Sequence, residues 1–74
     1  MDYKDRIISD PNILRGKPVI KGTRIPVELI LEKLGEGMSI EELLEAYPSL
    51  TKEDVLAALS YSADVIKSEE LVES

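Results

Sequence analysis

Ser39-Ile40-Glu41-Glu42-Leu43-Leu44-Glu45-Ala46-Tyr47-Pro48-Ser49-Leu50-Thr51-Lys52-Glu53-Asp54-Val55 decides how the chain folds, because it holds two helix starts and one helix stop. Ser39 and Glu42 stand three apart before an apolar run, so hydroxyl and carboxylate can each satisfy the other's free backbone N–H, and Met38 and Leu43 occupy the staple positions around them. Ile40, Leu43, Leu44 and Tyr47 then recur at helical spacing until Pro48, which cannot continue a helix. Thr51 and Asp54 repeat the reciprocal cap, with Leu50 and Val55 as the staple. Two helices joined through Pro48-Ser49-Leu50 have the spacing of a helix-turn-helix unit.

Upstream, Pro26 suits a first helical turn, and Val27, Ile30, Leu31 and Leu34 form the apolar face of another helix that Gly35 and Gly37 stop. Downstream, the last helix presents Val55, Leu59, Ala63 and Ile66 as its apolar face, with Leu56 and Ala58 beside it. It is expected to end near Lys67 and to leave Ser68 to Ser74 as an acidic, fraying tail. Residues 6–27 read differently. They carry three of the four prolines and two of the four glycines, and Val19-Ile20 and Arg24-Ile25 flank Lys21-Gly22-Thr23 as a small hairpin would. Ile7-Ile8 is a candidate third strand at an edge, where a second copy of the chain could pair. Gly16 and Gly22 are assigned to turns that need positive φ. The expected fold is a single domain over residues 1–74: mostly α, with a small N-terminal β-hairpin head before a three-helix unit over residues 27–67.

The 74 residues include no cysteine and no histidine. No disulfide framework is possible, and the usual zinc and iron ligand sets cannot be assembled. A single core of this size leaves a thin margin of stability, which makes a homodimer the expected supplement. With neither Cys nor His, the nucleophile and base pairs of hydrolases are missing. The adjacent carboxylates Glu41-Glu42 and Glu69-Glu70 diverge on a helix and cannot bracket a bond or a metal. The reading is a binding protein and not an enzyme, with no small-molecule substrate, cofactor or metal. The charged start of the chain and the lack of a long apolar run point to a soluble, cytoplasmic protein without membrane contact.

Net charge is −6, but it is unevenly spread. Met1 to Pro26 hold six basic and three acidic residues, while Val27 onward holds three basic and twelve acidic. A basic head is thus mounted on an acidic body. Arg15, Lys17, Lys21 and Arg24 are the densest basic cluster, with strand alternation placing Lys17, Val19 and Lys21 on one side. They could grip phosphates, guard a sheet edge, or pair with acidic helices of the same molecule. For Arg24 a buried salt bridge to a helix carboxylate competes with a DNA contact. If the last helix reads bases, its exposed positions are Lys52, Glu53, Ala57, Ser60, Tyr61 and Asp64, of which one is basic. Tyr47 and Tyr61 fit the edge of a core, and Tyr3 is expected to be flexible.

The stretch Ile8-Ser9-Asp10-Pro11-Asn12-Ile13-Leu14-Arg15-Gly16-Lys17-Pro18-Val19-Ile20-Lys21-Gly22-Thr23-Arg24-Ile25-Pro26-Val27 closely resembles the prokaryotic family called domain of unknown function 433. The similarity extends through Gly37 to Thr51 and Ala57 to Tyr61. The resemblance implies a homeodomain-like or winged helix-turn-helix protein and an antitoxin of the VapB type. It further implies two partners, a toxin with a PIN-like nuclease fold and operator DNA. The candidate contact residues, taken from the basic cluster and from the exposed positions of the last helix, are Arg15, Lys17, Lys21, Arg24, Lys52, Ser60 and Tyr61. The rival reading is a protein-interaction module whose helix-turn-helix scaffold does not touch DNA.

Overall fold

The computed structural model describes residues 2–73, with side chains described to residue 68. The order of elements is β1 (Ile7–Ser9), a 3-10 turn (Leu14–Gly16), β2 (Pro18–Ile20), α1 (Val27–Gly35), α2 (Ile40–Ala46) and α3 (Lys52–Glu73). The fold is three helices with a two-stranded antiparallel sheet at the N-terminal end. α1 packs on both α2 and α3, β2 lies against α1, and β1 lies against α3. Among the described residues no helix is long and apolar enough to cross a membrane.

Both reciprocal caps form. The Ser39 N–H donates to Glu42 Oε1 at 2.9 Å and the Glu42 N–H donates to Ser39 Oγ at 3.1 Å. These bonds hold the Glu42 carboxyl below its ordinary value. Ionised Glu42 therefore stabilises the start of α2 above the usual carboxylate range, and that contribution is lost as pH falls through the lowered value. At α3 the Thr51 N–H donates to Asp54 Oδ2 at 3.0 Å and the Asp54 N–H donates to Thr51 Oγ1 at 3.2 Å. Residues 47–51 separate α2 from α3.

The sheet corrects the expected pairing. β2 pairs with β1 in the register Ile7↔Ile20, Ile8↔Val19 and Ser9↔Pro18. The Arg24-Ile25 side contributes one bridge, Val19↔Pro26, and one bond from the Ile20 N–H to the Ile25 carbonyl. Thr23 explains why no longer hairpin forms there. Its N–H and hydroxyl both donate to the Ile20 carbonyl, while its Oγ1 accepts from the Ile25 N–H, which closes residues 20–25 into a turn with Gly22 at φ +82°. Val19 and Ile20 are both buried, so β2 has no solvent side. Lys17 and Lys21 lie beyond its two ends and are exposed, whereas Val19 is fully buried.

The core gathers Ile20, Val27, Ile30, Leu43, Leu50, Val55 and Ala58 from every layer. The face of α3 that meets it is rotated from the expected one. Val55, Ala57 and Ala58 are buried and Tyr61 is half-buried, whereas Leu56, Leu59, Ala63 and Ile66 are exposed. Small Ala57 and Ala58 take the buried positions, and the bulkier Leu56, Leu59 and Ile66 are left exposed. The helix also runs past Lys67 to Glu73, because nothing between Ser68 and Glu73 is a proline or glycine that would stop it. The side chains of the expected acidic tail from residue 69 onward lie outside the described residues.

Candidate protein-docking site

The path from β1 to β2 sets up the basic head. Asp10 Oδ1 accepts from the Asn12 N–H, and the Asp10 carbonyl accepts from the Ile13 N–H, so Pro11 and Asn12 form a tight turn. The chain then adopts a left-handed turn. Gly16 has the expected positive φ of 82°, and Leu14 (φ 48°) and Arg15 (φ 59°) share it. Each L-residue in that region costs about 1–2 kcal/mol, which the bonds from the Gly16 N–H to the Ile13 carbonyl and from the Lys17 N–H to the Leu14 carbonyl help to offset. Backbone strain of this kind concentrates at functional sites.

The strained turn lifts Leu14 and Arg15 to the edge of a shallow groove of about 380 Å³, completed by Lys17, Pro26 and Glu28. Lys17 Nζ pairs with Glu28 Oε1, tying the head to the first turn of α1. Both side chains are more than half exposed, so the pair adds about 0–1 kcal/mol. Of the three sequence readings of the basic cluster, Lys17 takes the intramolecular one. Arg15 is exposed and has no ion pair among the described residues. Lys21 and Arg24 are exposed on the 21–25 turn and line no part of this groove.

Arg24 is therefore not the arginine that pairs with a helix carboxylate. Half-buried Arg6 takes that role, against a buried aspartate. Its Nη1 donates to Asp54 Oδ1 at 3.1 Å, with the Asp54 side chain 11% exposed. Sequence reasoning passed over Arg6 because 48 positions separate the partners. Tyr3, expected to be flexible, is held as well. Its hydroxyl donates to Asp64 Oδ2 at 2.9 Å, and its ring meets Tyr61 edge-on at 5.5 Å and 89°. The N-terminal segment is thus a strap along α3, fastened at Asp54 and at Asp64.

The strap has a pH signature. The hydrogen bond to Asp64 raises the Tyr3 hydroxyl above its ordinary 10.0. The protonated strap is fully stabilising below pH 10.0 and loosens as pH rises through the folded value. An absorbance titration of tyrosine should show one late-ionising group, and Tyr3→Phe should remove that step. If Tyr3→Phe removes an ordinary step and the late one persists, the raised hydroxyl is not that of Tyr3 and the strap is not formed.

The α3 candidates are dispersed. Lys52 is exposed at the start of the helix, Ser60 is half-buried, and Ala57 is fully buried and unable to contact anything outside. Tyr61 lies under Tyr3 and also lines a second, apolar groove with Pro18, Val27, Leu31, Val65 and Ile66. The structure brings together Arg15 and Lys17, and adds Leu14, Pro26 and Glu28, which the sequence reading had not singled out as site residues. A leucine next to an arginine and a glycine in a polar turn was the available signal.

Residues 7–62 match the family described as "Protein of unknown function (DUF433)". The chain belongs to that family. All seven candidate residues fall inside the matched DUF433 segment, whereas Tyr3 lies before it and the last turns of α3 lie beyond it. A crystal structure of a DUF433 member from Anabaena variabilis superposes with a TM-score of 0.80 at 30% identity, covering 96% of this chain and 71% of that one. An uncharacterized protein of Sinorhizobium fredii, y4eO, is 41% identical over 59 residues, which are 80% of this chain and 27% of that protein. The chain thus spans about a quarter of the length of that curated relative.

Proposed function

We propose that this chain is a cytoplasmic, antitoxin-like protein that neutralises a PIN-like nuclease toxin by docking on it, with the Leu14–Gly16 turn as its contact. It acts through binding energy and is not an enzyme. The observation that carries this reading is the left-handed turn, which holds an apolar side chain and a guanidinium side by side at a groove rim. Lys17 is already paired with Glu28, so Arg15 is the basic charge at this groove left for a partner. A guanidinium can take a carboxylate with two parallel hydrogen bonds, and the carboxylates that hold magnesium in a nuclease centre are suitable acceptors. Leu14 and Pro26 supply the adjoining apolar contact.

In this proposal α2, residues 47–51 and α3 form a helix-turn-helix unit that serves as a scaffold for protein contact. Operator binding through α3 has less support. Its outward residues are apolar at Leu56, Leu59 and Ile66, acidic at Glu53 and Asp64, and basic at Lys52 and Lys67, which lie at opposite ends of the described side chains, whereas phosphate affinity depends on clustered basic side chains.

The test is titration calorimetry against the product of the adjacent gene. Arg15→Gly removes the guanidinium and also relieves the strained φ, so thermal stability should hold or rise. Affinity should nonetheless fall about tenfold or more, the worth of a lost charge-assisted contact. The reading fails if the unaltered chain forms no complex, or if Arg15→Gly binds as tightly.

A further inference from the structure

α3 has two apolar faces, and the fold uses one. Val55, Ala58 and Tyr61 face the core, while Leu56 and Leu59 (each 39% exposed), Ala63 and Ile66 (56% exposed) face solvent. The outward set is spaced three, four and three residues apart, the a/d spacing of a helix that packs lengthwise on another helix. At 100° per residue these four positions fall within an arc of about 80° and span about 15 Å of helix. A continuous exposed stripe of this kind marks a contact surface, unlike apolar residues scattered singly.

The sequence along the stripe identifies its occupant. Four residues before Leu56 stands Lys52, and four residues after Ile66 is position 70, a glutamate in the sequence. The register therefore reads Lys, Leu, Leu, Ala, Ile, Glu, which is complementary to itself when reversed. An antiparallel copy sets position 52 opposite position 70, Leu56 opposite Ile66, and Leu59 opposite the small Ala63. A parallel copy would place lysine on lysine and glutamate on glutamate, and like charges across a helix pair are unfavourable. We propose that the outward stripe of α3 is the interface of a two-fold dimer, in which the α3 helices of two copies pack antiparallel through Leu56, Leu59, Ala63 and Ile66. The three-residue β1 edge, where the sequence suggested self-pairing, offers a shorter seam. The dimer does not depend on what the head binds.

Sedimentation velocity over a concentration series tests it. The chain should pass from monomer to dimer, and Leu59→Glu should weaken self-association about tenfold or more by burying a charge where a leucine packed. Lys52→Glu, at an exposed position that leaves the fold intact, should also weaken it, and adding Glu70→Lys should restore it. A parallel dimer would answer none of the charge swaps in that order. A monomer at every concentration, a dimer indifferent to Leu59→Glu, or a charge swap that fails to rescue would each overturn the proposal.

Discussion

Leu43→Ala should unfold most of the chain at room temperature. Leu43 is the one buried residue of α2, and it is wholly enclosed by the core cluster. α2 is only seven residues long, too short to hold helical structure without tertiary support. Truncating a buried leucine typically costs about 2–5 kcal/mol, and a core in a chain this small supplies about 3–5 kcal/mol in all. The two quantities are nearly equal. Circular dichroism should show a large loss of helix, and urea denaturation should lack a native baseline. A normal urea midpoint would mean that α2 is held by something other than Leu43.

Asp54→Ala should be the next most damaging change, at about 2–4 kcal/mol from a lost cap and a lost charge-assisted bond. Its carboxylate accepts from the Thr51 N–H and from Arg6, and its backbone N–H is answered by Thr51 Oγ1. One side chain thus starts α3 and fastens the N-terminal strap. Asp54→Asn separates the two roles, since an amide oxygen can still accept at the cap but the ion pair is gone. The measured loss should fall between wild type and Asp54→Ala. Arg6→Ala should cost less than Asp54→Ala, because Arg6 is 40% exposed and the cap survives its removal. If Asp54→Asn proves as damaging as Asp54→Ala, the ion pair, and not the cap, dominates.

What could be read in the sequence follows the range of each interaction. Ser39 with Glu42, and Thr51 with Asp54, are three residues apart, so both caps were legible and both form. Pro48 ends α2 for an equally local reason. The partner of β2 was not legible, because Ile7-Ile8 and Arg24-Ile25 are both short β-prone pairs and only the Thr23 hydrogen bonds decide between them. α3 posed a harder choice. Val55, Ala58 and Tyr61 recur at helical spacing, and so do Leu56, Leu59, Ala63 and Ile66. Periodicity alone cannot say which set meets α1. The head was legible as basic but not in shape: Gly16 signalled a positive φ, whereas its extension to Leu14 and Arg15 is imposed by the turn as a whole.

Hydrogen exchange on the chain alone and on the complex with the adjacent gene's product tests the docking account most directly, because it reports which backbone amides a partner covers. The account predicts added protection at residues 13–17 and in the first turn of α1, with the N-terminal turn of α3 unchanged. Protection centred on residues 52–57 with the Leu14–Gly16 turn still exchanging freely would contradict it.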